Sequence, residues 1–175
     1  MQLLQSVFAT ANPFLARLFD FWQAGRCLLK SFSYTAEWNP LAANALGAQP
    51  TTGITIDPGI DFLLMEINFV AYLKPGATDQ AVLSVPNMLL SLQEKSGASI
   101  FTDTDHHVAL WTGNAQAACT DFEMPFPRLI RGNNAILAKL TDNGGTATHC
   151  WLGLEGLRIE YVNAVRQEIF PFLTA

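Results

Sequence analysis

The run Thr102-Asp103-Thr104-Asp105-His106-His107 is the polar constellation in this chain most suited to chemistry. Asp and His are common metal ligands, and alternate residues of a strand share a face, so Asp103, Asp105 and His107 could converge on an ion. The same residues also make a solvated loop between two strands. Adjacent Asp and His without a second cluster elsewhere fit that plainer reading better. No metal and no cofactor is therefore expected, and Asp103, Asp105 and His107 are the residues that would hold one.

His149 and Cys150 are the other reactive neighbours. On a strand they point to opposite faces, so they cannot form a nucleophile and base pair. Cys150 falls in line with Leu152 and Leu154, which makes it a core thiol behaving as a small hydrophobe. His149 shares a face with Trp151, which predicts a surface or interface position. Phosphate loops, dinucleotide fingerprints, the nucleophile elbow, HExxH and paired CxxC motifs are absent from the sequence. The expectation is a protein that is not an enzyme. Trp22, Trp38, Trp111 and Trp151 could form a sugar-binding platform, but core and interface filling accounts for them more simply, because aromatics carry the largest buried area per residue.

The elements that must position these residues are mostly strands. Ile136, Ala138 and Leu140 alternate with Leu137, Lys139 and Thr141, and Cys150, Leu152 and Leu154 alternate with His149, Trp151 and Gly153. A period of two predicts strands covered on one face. Asp142-Asn143-Gly144-Gly145 between them is hairpin chemistry, because Asn and Gly accept positive φ at low cost. Beyond Leu154 the apolar positions become Leu157 and Ile159, so the phase flips at Gly156. That predicts a bulge at Gly156, with Leu157 and Ile159 turned into the same core.

Residues 28–35 and 51–56 also alternate, and Asp57-Pro58-Gly59 is a turn. Asn39 to Gln49 reads as a loop or one weak helical turn. Asp61 to Leu73 is the longest strand, with Leu63, Met65, Ile67, Phe69, Ala71 and Leu73 on one unbroken apolar face. Asp79 to Pro86 reads as a loop or short edge piece, Met88 to Leu92 and Val108 to Thr112 as strands, and Tyr161 to Ala175 as a tail. In front, Phe14, Leu15, Leu18, Phe19 and Trp22 have helical spacing, with Asn12 as cap, Pro13 at the first position and Gly25 as stop. This helix either lies across the sheet as a plug or reaches to a neighbouring subunit as an arm. The total is an all-β, antiparallel, jelly-roll-like sandwich of seven or eight strands spanning 26–175, behind a helical segment or arm at 1–25.

Half of the 175 residues are apolar and 14% are charged, with mean hydropathy +0.20. Such a chain has either a large core or an outer surface partly buried by partners. Net charge is −5 and the basic residues are scattered, which excludes the concentrated positive surface that phosphate backbones require. The greasiest window, Ile60 to Leu73, is interrupted by Asp61, Glu66 and Asn68 and is too short to cross a bilayer. The N-terminus lacks a basic n-region, so no signal peptide is expected. The three cysteines, Cys27, Cys119 and Cys150, are odd in number and far apart, as buried thiols made in a reducing cytoplasm would be.

Pro125-Phe126-Pro127, Gly132-Asn133-Asn134, the strand Ile136 to Leu140, Asp142 to Thr146 and Leu154-Glu155-Gly156-Leu157-Arg158 follow one another in a fixed order. In that order the segment resembles small structural proteins of tailed bacteriophages, and Ile54-Thr55-Ile56-Asp57 with Phe62-Leu63-Leu64 fits the first half of such a protein. The resemblance implies a virion protein, made in the host cytoplasm, that decorates or cements a capsid. Its implied partners are the major capsid protein and further copies of itself, as dimer or trimer, with no nucleic acid and no membrane. A neck, tail or fibre-associated protein and a carbohydrate-binding sandwich remain alternatives. Contacts in such a role would fall on Phe14, Phe19, Trp22, Trp151, Phe170 and Phe172.

Overall fold

The computed structural model describes residues 13–41, 51–83, 86–95, 105–108 and 122–162. Among the described residues one helix, α1 (Pro13–Gln23), precedes eight strands: β1 (Cys27–Leu41), β2 (Thr51–Thr55), β3 (Ile60–Leu73), β4 (Met88–Glu94), β5 (His106–His107), β6 (Phe122–Ile130), β7 (Ala135–Asp142) and β8 (Thr148–Tyr161). They form two four-stranded sheets, in the orders β1-β8-β3-β6 and β2-β7-β4-β5, with antiparallel neighbours throughout. Most connections therefore cross from one sheet to the other, and the whole is a jelly-roll sandwich. Prolines sit where a missing N–H is tolerated: Pro40 in β1 and Pro125 and Pro127 in β6 are all on outermost strands. β1 thus continues to Leu41, past the start of the expected loop at Asn39, with a register shift between Trp38 and Leu41 and a cis Asn39–Pro40 bond. Residues 80–83 add the short edge piece, Val82 bridging Tyr72.

Several expectations need correction. β7 and β8 are not a hairpin, because they lie in different sheets. The Asp142-Asn143-Gly144-Gly145 turn takes no positive φ and is shaped by side-chain bonds. The buried Asp142 carboxylate accepts the Gly144 N–H at 2.6 Å and the Thr148 hydroxyl at 2.9 Å. The Asn143 N–H donates to the Asn87 carbonyl at 2.9 Å, which ties the turn to the start of β4. The result is an arch over the end of the sandwich.

The second correction concerns the bulge. β1 and β8 keep one register from Cys27 opposite Tyr161 to Trp38 opposite Cys150, so β8 has no bulge at Gly156. Against β8 the extra residue is Met65 of β3, between Leu64 opposite Gly156 and Glu66 opposite Glu155; the register against β6 shifts at the same place, where β6 carries the longer stretch, from Arg128 to Glu123. A Cβ on Gly156 would stand 1.9 Å from the Leu63 carbonyl oxygen, so Gly156 accommodates a bulge in the neighbouring strand. The faces of β3 switch there. Phe62 and Leu64, then Ile67, Phe69 and Ala71, face the core between the sheets, so the unbroken odd-numbered face is not realised. Leu157 and Ile159 do not join that core; with Leu63 they form a second one on the outer side of the sheet.

Helix α1 covers that second core. Leu15, Leu18 and Phe21 bury against Cys27, Leu63, Leu157 and Ile159, with Phe19, Trp22, Leu29 and Met65 at the rim. The helix lies on its own sheet, outside the sandwich. It ends in a Schellman cap: Arg26 N–H donates to the Phe21 carbonyl at 2.9 Å and Gly25 N–H to the Trp22 carbonyl at 3.0 Å. Gly25 takes φ 68°, which glycine adopts without a Cβ penalty. Third, His106 and His107 pair with Leu90 and Leu89 on a strand, where a solvated loop was expected.

Candidate functional site

Helix α1 leaves part of the outer face of β1-β8-β3-β6 uncovered. The remainder carries Glu37 of β1, Trp151, Gly153 and Glu155 of β8, and Asn68, Val70 and Tyr72 of β3, with His149 at one end. His149 was expected at a surface or interface, yet it is 6% exposed. The alternation places it on the outer face, but the connection after β3 folds back over it. That connection is held by the Lys74 N–H on the Ala147 carbonyl (2.8 Å) and the Gln80 N–H on the Leu73 carbonyl (2.9 Å).

Two carboxylates reach the imidazole from separate elements. Asp79, from the connection, places Oδ1 and Oδ2 at 3.0 and 2.9 Å from Nδ1, and Glu37 places Oε1 at 2.8 Å from Nε2. Trp151 lies against the ring with centroids 3.6 Å apart, and Tyr72 meets Trp151 edge-on at 5.5 Å. Lys74 sits 3.9 Å from Asp79 and also bonds the Asn39 amide oxygen, while Asn39 Nδ2 donates to Glu37 at 3.4 Å. Beyond Gly153, Asn68 Nδ2 donates to Glu155 at 2.7 Å.

The geometry limits the chemistry. The carboxylates bind opposite nitrogens of one ring, so the three side chains cannot share a single ion. Among the described residues no group of three or more His, Cys, Asp or Glu is arranged to hold a metal. Both imidazole nitrogens are occupied by carboxylates, and among the described residues no Ser, Thr or Cys hydroxyl or thiol bonds either of them, so His149 is not placed as a base for a nucleophile there. Its role is to join elements. Trp151 is half-buried, with His149 against its ring and Tyr72 meeting it edge-on.

Of the other sequence candidates, Asp105 pairs with Lys139 at 3.0 Å across to β7, and His107 is half-buried in β5. Asp103 lies outside the described residues, as do Trp111, Cys119, Phe170 and Phe172, the strand expected at Val108 to Thr112 apart from Val108, and the side chain of Phe14. Phe19 and Trp22 are half-buried at the rim of the second core, their rings 5.5 Å apart. Trp38 is core. Glu37, Asp79 and Lys74 were not legible as a group, because only the fold brings them to His149.

Cys27 and Cys150 are free and buried. Burial raises their thiol pKa from 9.0 to about 11 and about 12, the Cys150 shift being opposed by a bond to Thr148. An acid whose folded pKa is raised stabilises the fold fully below pH 9.0, and that contribution is lost as pH rises toward 11–12. Native protein treated with iodoacetamide at about pH 8 should keep both thiols unmodified by mass spectrometry, whereas both alkylate in urea. Rapid native alkylation at either site would contradict their burial.

No helix among the described residues is long and apolar enough to cross a membrane. No family model matches the chain, and no curated protein does. Among solved structures, it is similar to a chain of the cyanophage Pam1 capsid asymmetric unit, with TM-score 0.43 and 13% identity over 78% of this chain and 86% of that one. It is also similar to the VP2 subviral particle of infectious bursal disease virus, with TM-score 0.34 and 15% identity over 78% of this chain and 33% of that one.

Proposed function

We propose that this chain is a non-enzymatic structural protein of a virion, and within the virion a capsid decoration or cement protein. The observation that carries the reading is the strand order β1-β8-β3-β6 over β2-β7-β4-β5, the two-sheet jelly roll used by capsid and lectin domains. Trp151 turned against His149 and Tyr72 weighs against the lectin branch. The low charge suits a protein that buries outer surface against a shell and sister subunits.

The contact surface is proposed at apolar groups that the fold leaves open. With α1 seated on its own sheet, its apolar side is used at home, and the exposed side offers Ala16, Arg17, Asp20 and Gln23. Leu28, 49% exposed, and Val162, 41% exposed, lie near each other where β1 begins and β8 ends, the Val162 N–H bonding the Arg26 carbonyl. Residues 163–175, with Phe170 and Phe172, continue from that corner. Shell contacts are assigned to this corner and tail, with self-association as dimer or trimer. Purified protein mixed with empty capsid shells should co-sediment with them and raise their melting temperature. Removing residues 163–175 should weaken the association at least about tenfold, a loss of about 1.4 kcal/mol. Full-length protein that stays in the supernatant at micromolar concentrations would overturn the reading.

A further inference from the structure

We propose that His149 is a proton-operated clasp that fastens the connection after β3 to the edge strand β1, closed when the imidazole is charged and loosened when it is neutral. The inference is independent of the virion reading.

Ionised carboxylates only accept hydrogen bonds, and a neutral imidazole donates from one nitrogen alone. Asp79 at Nδ1 and Glu37 at Nε2 both stand within 3.0 Å, so both contacts are hydrogen bonds only when both nitrogens carry protons. Loss of one proton leaves two carboxylates competing for the other, with a ring lone pair directed at the loser. The groups facing the ring come from four elements: Glu37 from β1, Tyr72 from β3, Lys74 and Asp79 from the connection, and Trp151 from β8 itself. Among the described residues Lys74 is the only cation in this group, and it stands 3.9 Å from Asp79 Oδ1. Lys74 and Asn39 give the carboxylates secondary partners, so deprotonation loosens the clasp without dismantling the sandwich. Glu37, with a side chain 52% exposed, is free to turn into water, whereas His149, 7% exposed, is not.

The sign follows from the charge. Contacts that need a proton on both ring nitrogens are made by the charged imidazole and lost when it is neutral. The readout is amide hydrogen exchange at Gln80 and Leu83, whose N–H groups bond the Leu73 and Ala71 carbonyls. Corrected for intrinsic pH dependence, exchange at these amides should be about tenfold faster at about pH 8 than at about pH 5.5. Leu140 in β7, remote from the clasp, should show no such change. Glu37→Gln should shrink the ratio, since an amide can serve a bare or a protonated nitrogen, and His149→Gln should abolish it. Long-range ¹H–¹⁵N spectra of the wild type serve if His149→Gln fails to fold, and should show both ring nitrogens protonated at the lower pH. Equal corrected exchange at both pH values, or a single ring N–H throughout, would overturn the proposal.

Discussion

Gly156→Ala is expected to destabilise the protein by about 4 kcal/mol or more, enough to threaten folding of a single domain. The new methyl would meet the Leu63 carbonyl oxygen at 1.9 Å, its carbon at 2.9 Å and the Leu64 Cα at 3.2 Å. All three are backbone atoms of a central strand, so no side-chain rotation relieves the contact. β3 and β8 would have to separate beside the Met65 bulge, breaking ladder bonds between the two innermost strands of the sheet. Gly153→Ala, three residues away on the same strand, is the control. Its Cβ would lie 3.4 Å from the Asn68 Cβ, an ordinary contact at the close end of the range. It should cost less than about 1 kcal/mol. Urea unfolding of the two variants, followed by far-ultraviolet circular dichroism, distinguishes them. Equal stability would place the close approach elsewhere.

Leu18→Asp should have an effect of similar size by a different route. Leu18 is fully buried between α1 and the sheet, and an ionised carboxylate there would have no placed partner. Burying it costs several kcal/mol, so the cheaper outcome is undocking of the helix. That bares Leu63, Leu157 and Ile159, a contiguous apolar surface at the middle of a sheet. A stability loss of about 3 kcal/mol or more and concentration-dependent association are expected, read by urea unfolding and by size-exclusion chromatography with light scattering. If the isolated protein kept its stability and lost only contact with other subunits, α1 would be an arm to a neighbour.

The two variants also mark what the chain discloses locally and what it conceals. The ends of α1 are legible because Pro13 and Gly25 act on the backbone beside them, and the Schellman bonds involve only adjacent residues. Alternation in β7 and β8 is legible for the same reason, and it puts Ile136, Ala138, Leu140, Cys150, Leu152 and Leu154 in the core. Which sheet each strand joins is not a local property. Asp142-Asn143-Gly144-Gly145 suits a tight hairpin, but the bonds from Asp142 to Thr148 and from Asn143 to Asn87 shape an arch. Gly156 signals a close approach without saying which of two paired strands carries the extra residue. The His149 site lay furthest from view. Its partners are 70 and 112 residues away, and alternation tells which face a histidine occupies but not what folds over it.

The virion assignment is tested most directly by locating the protein. Cryo-electron microscopy of particles assembled with and without this chain should show density for an eight-stranded sandwich on the outside of the capsid shell, repeated at capsid symmetry positions and missing from the particles that lack it. Density confined to the neck or tail, or shells identical in the two preparations, would contradict the account.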